Sequence, residues 1–158
     1  MPLELEIDHL ALGEAIDAPW RYLYLLDRGR GELVGVAGYL AERRYFECVD
    51  LVSDGYGPTL FLLLMQKARR EAFLGVSPDL TSNTDEAKQM DARLYYEPPP
   101  GVHCMRNPDA SHAEIYLNQI YFLERDLIAE DAARRNAEGL AVSVEALDHY
   151  LLPAQPGG

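Results

Sequence analysis

Apolar runs in the first third of the chain predict three consecutive strands. Residues 22–26 (YLYLL) and 33–40 (LVGVAGYL) flank a glycine-bearing connection that suits an antiparallel hairpin. A third apolar run, residues 45–52 (YFECVDLV), follows after a short polar link. Strands joined in this way by short turns form an antiparallel meander.

The pattern then changes to a helical period. Over residues 58–73 apolar side chains recur on one helical face, and the cationic residues in the last turns suit the helix dipole. Residues 74–78 predict a short strand parallel to the third, which makes the helix a right-handed crossover. Asn83 and Glu86 resemble a capping box for a second helix, which the three prolines at 98–100 end.

The last third of the chain predicts a hairpin and a helical extension. Residues 102–106 and 114–123 have the composition of strands and are separated by a polar loop. Residues 127–152 are alanine-rich and predict a helical C-terminal extension, restarted after Ser143, while residues 153–158 predict a loose tail. The whole pattern predicts an α+β fold with a mixed sheet, in a single domain covering residues 1–158.

The acidic composition limits the classes of partner. A net charge of −12 argues against binding to nucleic acid or anionic lipid, because the phosphates would repel the protein. The N-terminus is acidic where a signal peptide would be basic, and no apolar run has membrane-spanning length. We therefore expect a soluble, cytoplasmic protein without a membrane partner. Its acidic surface is either only solvated, or it mimics nucleic acid or docks on a basic partner protein.

The two cysteines do not predict a metal site. Cys48 and Cys104 lie in separate apolar patterns, without a CxxC motif or a Cys/His cluster at ligand spacing. We expect two reduced thiols and no bound metal.

The junction between the third strand and the first helix carries the candidate chemistry. In residues 53–59 (SDGYGPT), two glycines permit positive φ and Pro58 presets the first helical φ. Free backbone amides and the positive end of the helix dipole then favour a phosphate or pyrophosphate. The Walker lysine and the third glycine of a dinucleotide fingerprint are absent, so a nucleoside triphosphatase or a Rossmann dehydrogenase is not expected.

The order of elements and the glycine turn resemble the GNAT superfamily of acyl-CoA-dependent N-acyltransferases. Residues 55–58 (GYGP) look like the second half of the family's Gln/Arg-x-x-Gly-x-Gly/Ala pyrophosphate loop, and the surrounding segment is similar to small bacteriophage acetyltransferase-like proteins. The resemblance covers about residues 20–123 and implies a sheet with splayed central strands. Val52 stands at the Gln/Arg position, and Asp54 places a carboxylate in the loop. Residues 10–18 leave room for one N-terminal helix, so we expect either an open acceptor cleft or one that a partner or a second subunit of a homodimer completes.

The resemblance implies acetyl-CoA, or coenzyme A, as the cofactor. It places the pantetheine arm along Leu51, Val52 and Ser53. It places the pyrophosphate on the amides of Gly55, Tyr56, Gly57 and Thr59.

The resemblance also implies the catalytic groups. Tyr96, with Tyr95 as second choice, would protonate the departing thiolate, since a phenol keeps its proton at neutral pH. Glu47, ahead of Asp50, is the candidate base, and strand alternation predicts that these two carboxylates point to opposite faces.

Two functions of different class follow from the resemblance. The first is an N-acetyltransferase that moves acetyl directly from acetyl-CoA to an amine of a protein or small metabolite. The second is a catalytically weak or inactive GNAT-like bacteriophage protein that docks on a host protein in the host cytoplasm and modulates it.

Overall fold

The structure, a computed structural model, describes residues 20–27, 31–53, 57–78, 85–109, 118–127 and 144–147. These residues form an α+β fold, as the sequence predicts, with seven strands in one mixed sheet. The described elements, in chain order, are β1 (Trp20–Asp27), β2 (Glu32–Leu40), β3 (Phe46–Ser53), α1 (Gly57–Arg70), β4 (Val76–Pro78), α2 (Asp85–Tyr96), β5 (Val102–Arg106), β6 (Gln119–Leu123) and β7 (Val144–Leu147).

The sheet combines an antiparallel meander with one parallel crossover. The strand order is β5-β6-β4-β3-β2-β1-β7. β3 and β4 pair in parallel, and the other neighbours in the sheet pair antiparallel. Both the predicted meander and the predicted crossover through α1 are therefore confirmed.

The main core lies between α1 and one face of the sheet. Leu60, Leu64 and Ala68 on α1 are completely buried, as are Tyr39 and Phe46 on the strands beneath. The edge of the Phe61 ring meets the Tyr121 ring, with 6.1 Å between centroids. The apolar stripe predicted for this helix therefore faces the sheet.

An ion pair joins β1 to the end of α1. Arg21 donates two hydrogen bonds from Nη2 to the Glu71 carboxylate, at 2.9 and 3.0 Å. Lys67 Nζ lies 2.7 Å from the same carboxylate. The Arg21 guanidinium also lies 5.2 Å from the ring centroid of Tyr39 and 5.4 Å from that of Phe46, so charge pairing and cation–π contact fix it together.

A glycine allows β4 to approach β6 closely. Gly75 has φ +154°, and its carbonyl accepts a hydrogen bond from Phe46 N at 2.9 Å. A Cβ at this position would overlap the Tyr121 carbonyl oxygen and would lie 2.7 Å from Ile120 Cγ2. No side chain fits here without moving backbone, so glycine fixes the spacing at the centre of the sheet.

The second helix ends in a tight turn, as the three prolines predict. Val102 N donates to Pro99 O at 3.0 Å, and Gly101 has φ +87°, the geometry of a type II turn with Pro100 at its second position. β5 then returns as a hairpin with β6. β6 begins at Gln119, and residues 114–117 of the predicted strand lie outside the described residues.

The predicted helix after Ser143 is wrong at residues 144–147. Val144–Leu147 forms β7 and pairs antiparallel with β1, from Tyr24 to Asp27. Its sequence, VEAL, has good helix formers, but pairing with an available strand edge overrides such weak local preferences. Parts of the predictions lie outside the described residues: residues 128–143 and 148–152 of the extension, the tail at 153–158 and the helix at 10–18.

Candidate functional site

The strand-to-helix junction is described on both of its sides. β3 ends at Ser53 and α1 begins at Gly57, one residue earlier than predicted. The loop positions Asp54, Gly55 and Tyr56 lie outside the described residues. The described part of the candidate site therefore consists of the end of β3 and the first turn of α1.

The end of β3 extends beyond its parallel partner. β4 pairs with β3 only at Phe46, Glu47 and Cys48, and it ends at Pro78, which has no backbone N–H to continue the ladder. On β3, residues 49–53 continue, and residues 50–53 pair with β2 on the other side. Within the described ranges no strand pairs with the β4-side edge of these five residues. Residues 49–53 of β3, which lack a strand partner on this side among the described residues, are called the open edge.

A bulge lies where the open edge begins. Tyr39 pairs with Cys48 and Gly38 pairs with Asp50, which leaves Val49 as an extra residue on β3. The bulge interrupts the regular ladder on which the predicted alternation between Glu47 and Asp50 depended. In the register, Glu47 pairs with Leu40 and Asp50 pairs with Gly38.

The first turn of α1 contains a buried hydroxyl without a partner. Thr59 is 3% exposed, and its Oγ1 makes no hydrogen bond. The first turn of this 14-residue helix contains no acidic residue, so no side chain of that turn offsets the positive end of the dipole. Gly57 is half-buried and Pro58 is exposed, in agreement with a glycine and proline at the helix start. This end of the helix therefore presents donors to an anion.

Glu47, the candidate base, lies in a solvated cluster of charges. Its carboxylate is 3.8 Å from Arg43 Nε, and its side chain is 37% exposed. Arg43 Nη1 donates to Asp109 Oδ2 at 3.2 Å, and the Tyr45 hydroxyl lies 3.5 Å from the same oxygen. Tyr45 first and Asp109 second raise the pKa of Arg43, so the guanidinium remains charged beside Glu47.

The candidate acids lie over another part of the sheet. Phe46 on β3 pairs with Val76 on β4, Val76 pairs with Tyr121 on β6, and Tyr121 pairs with Cys104 on β5. β5 is therefore three strand spacings, about 14 Å, from β3. The Cys104 thiol donates to Leu94 O at 3.9 Å, which places the last turn of α2 over β5.

Tyr95 and Tyr96 follow in that turn, with ring centroids 4.9 Å apart. Tyr96 is 68% exposed. The structure brings the two tyrosines together but does not bring them to the open edge of β3.

Cysteine and histidine form no second site in the described part of the chain. Cys48 and Cys104 are reduced, and burial raises the pKa of the Cys104 thiol. His103 is exposed, lies 3.2 Å from Glu124 and packs on the Phe122 ring. No group of three or more His, Cys, Asp or Glu side chains among the described residues could hold a metal.

One polar residue of α1 was not predicted as a site residue. Gln66 is 5% exposed, and its Nε2 has no hydrogen-bond partner. It lies seven positions after Thr59, so the two residues share one side of the helix. The available sequence signal is this spacing of two polar residues within an otherwise apolar run.

Comparison with known proteins finds no match for this chain. No family model, no curated protein and no solved structure matches the chain. In the described part of the chain, no helix has the length and apolar character needed to cross a membrane.

Proposed function

We propose that this protein binds acetyl-CoA at the junction of β3 and α1 and transfers the acetyl group to an amine, as a GNAT-type N-acetyltransferase. The observation that carries the proposal is Thr59 Oγ1, a buried hydroxyl without a partner in the first turn of α1. Leaving such a group unsatisfied costs about 1–3 kcal/mol, and most buried polar groups do have partners. A phosphate oxygen above the helix start would accept this hydrogen bond together with those of the free amides.

The open edge of β3 supports the same ligand. Coenzyme A joins a pyrophosphate to an extended pantetheine arm that contains two amide groups. The edge formed by residues 49–53 is about 16 Å long and leads directly to the start of α1. A pantetheine arm along Leu51, Val52 and Ser53 would pair with this edge as an added strand does, while the pyrophosphate meets Gly57 and Thr59. The loop residues Gly55 and Tyr56 complete the proposed pyrophosphate site.

The proposed reaction needs one base and one acid. The amine attacks the thioester carbonyl, a C–N bond forms, and the C–S bond breaks. Glu47 is the proposed acceptor of the proton released by the amine, because its carboxylate is partly exposed and it lies one residue before the last pair of β3 and β4. Tyr96 and Tyr95, the sequence candidates for the acid, lie over β5 and away from the open edge, so the coenzyme thiolate takes its proton from solvent.

Calorimetric titration with acetyl-CoA and coenzyme A tests the binding. The wild type should bind both, Thr59→Val should weaken binding roughly tenfold through loss of one charge-assisted hydrogen bond, and Gly57→Trp should abolish it by filling the helix start. Lys88→Met, an exposed change on α2, is the control and should leave the affinity unchanged. Absence of wild-type binding at millimolar coenzyme would disprove the proposal.

Turnover is tested separately, by release of the coenzyme thiol in the presence of a panel of primary amines and basic peptides. Glu47→Gln should lower the rate about a hundredfold without changing coenzyme affinity, the usual magnitude for loss of a general base. Equal rates for the variant and the wild type would exclude Glu47 from the chemistry.

One observation favours a second candidate, a GNAT-like protein that docks on a host protein without efficient turnover. Tyr96 is 68% exposed in a turn over β5, a position better suited to a protein contact than to a shielded acid. In this case the wild type would bind a stoichiometric partner from host lysate, Tyr96→Ala would lose that partner, and acetyl transfer would be negligible. Acetyl transfer that depends on Tyr96 would exclude this candidate.

A further inference from the structure

The charged side chains beside Glu47, the proposed base, alternate in sign. The Arg43 guanidinium lies between two carboxylates, with Nε 3.8 Å from Glu47 Oε1 and Nη1 3.2 Å from Asp109 Oδ2. The contact with Asp109 is a hydrogen bond, whereas the contact with Glu47 is too long to be one. A guanidinium has several N–H donors, and the Arg43 side chain is 54% exposed, so donors remain for an anion from solution.

Buried polar residues fix the position of this arginine relative to the base. Asn107 is buried, its Oδ1 accepts a hydrogen bond from Asp109 N at 3.0 Å, and its Nδ2 donates to Ser77 Oγ at 3.4 Å. Ser77 is also buried and is the partner of Glu47 in the parallel pairing of β3 and β4. Asp109, and through it Arg43, is therefore tied to the same pair of strands that positions Glu47. The cation and the base lie side by side in a defined arrangement.

An α-amino acid has the complementary arrangement of charges. Its ammonium and its carboxylate are bonded to the same carbon, so they can lie next to an anion and a cation that are themselves adjacent. A planar guanidinium also pairs with a carboxylate through two parallel hydrogen bonds. We propose that the acceptor is a free α-amino acid whose carboxylate binds Arg43 while its amino group lies against Glu47, an inference that rests on the proposed function. Arg43 is then a specificity-determining residue of the acceptor site.

The order of the groups along β3 suits the reaction. Arg43 precedes β3, Glu47 is the second residue of the strand, and the open edge begins two residues later. This order puts the amino group, rather than the carboxylate, on the side of the thioester. The ammonium loses two protons on becoming an amide: Glu47 accepts the first, and the second passes to solvent, which also protonates the coenzyme thiolate.

Acetyl transfer to matched acceptors tests the substrate class. Release of the coenzyme thiol is measured with a panel of the common amino acids and, for each that is accepted, with the amine that lacks only the carboxylate. The wild type should have a KM about tenfold lower for the amino acid than for the amine, the usual effect of a charge-assisted pair. Equal KM values, or transfer to amines without transfer to any amino acid, would overturn the inference.

Substitutions in the ion pairs test the carboxylate contact. Arg43→Met should raise the KM for the amino acid about tenfold and leave that for the amine unchanged or lower, because Glu47 and Asp109 still attract a cation. Asp109→Asn should lower the KM for the amino acid by up to about fivefold, since Asp109 competes with the ligand carboxylate for the guanidinium. Arg44→Met, at the neighbouring exposed arginine, is the matched control and should behave as the wild type.

The outcomes separate this inference from the proposed function. If Arg43→Met keeps the wild-type KM for the amino acid while transfer continues, Arg43 does not bind the acceptor and only the inference is wrong. If the wild type neither binds coenzyme A in calorimetry nor releases thiol with any acceptor, both proposals fail. Circular dichroism checks that each variant is folded. Arg43→Lys, which keeps the charge but not the planar pair, should recover part of the affinity for the amino acid.

Discussion

Replacing Gly75 by alanine should destabilise the protein strongly, because this glycine lets β4 lie against β6. The added Cβ would overlap the Tyr121 carbonyl oxygen and lie 2.7 Å from Ile120 Cγ2 and 3.0 Å from Phe122 Cβ. The Tyr121 carbonyl is part of the β6 backbone, and Phe122 Cβ is bonded directly to that backbone. The clash can therefore be relieved only if the strands separate. The backbone conformation, with φ +154°, is itself one that alanine rarely adopts.

Two costs add up in this variant. Overpacking of a well-filled site costs about 1–3 kcal/mol, and a conformation restricted to glycine costs about 1–3 kcal/mol more. We expect Gly75→Ala to lower the free energy of unfolding by about 4 kcal/mol. In a protein of this size that corresponds to a fall in the melting temperature of about 8–16 °C.

Gly31→Ala is the matched control. Gly31 has φ +67°, and a Cβ there would meet nothing within 4 Å. Gly31→Ala should therefore lower the free energy of unfolding by only the cost of a left-handed backbone conformation, about 1 kcal/mol. Urea unfolding followed by circular dichroism measures both variants. A loss below 1 kcal/mol for Gly75→Ala, or equal losses for the two variants, would refute the argument from close approach.

Three further predictions concern the end of α1 and the thiols. Ala72 has φ +63° at the C-terminal end of the helix, so Ala72→Gly should stabilise the protein by about 0.5–1 kcal/mol in the same urea assay; destabilisation would contradict this. Burial alone would raise the pKa of Glu71, but its hydrogen bonds to Lys67 and Arg21 outweigh burial and lower that pKa. The carboxylate therefore stabilises the fold above the unfolded pKa, about 4.3, and this contribution is lost as pH falls through the lower, folded pKa. Glu71→Gln should cost about 1 kcal/mol at pH 7, and the difference should vanish in unfolding measurements toward pH 3; a constant difference would exclude the linkage. Because burial raises the pKa of Cys104, a thiol reagent should label it more slowly at pH 7 than a free thiol, and Cys104→Ser should leave no label before unfolding; fast labelling at pH 7 would contradict this.

Local periodicity predicted the first six strands and both helices, because in each of those segments the pattern of apolar and polar positions matches the surroundings of the element in the fold. The apolar run at 45–52 became β3, and the run that ends at Pro78 became β4, with bounds shifted by one or two residues. The strand at 144–147 was missed for the opposite reason. Its local preference is helical, and only the distant edge of β1 makes it a strand.

The candidate site was predictable in position but not in detail. The glycine turn before an apolar helix located the junction of β3 and α1. The bulge at Val49 depends on how β2 and β3 pair, and no residue type in β3 announces it. Gln66 was missed because a polar residue opposite the sheet-facing stripe is usually solvated, whereas here it is buried.

The pairing of β7 with β1 sets the order in which this protein can complete its fold during synthesis. Tyr24 and Leu147 are partners in the sheet although more than a hundred residues separate them along the chain. The meander and the crossover involve shorter separations and can form first, whereas the outer edge of β1 stays unpaired until residues 144–147 emerge from the ribosome. During that interval β1 presents an unpaired strand edge, to which a second chain can pair.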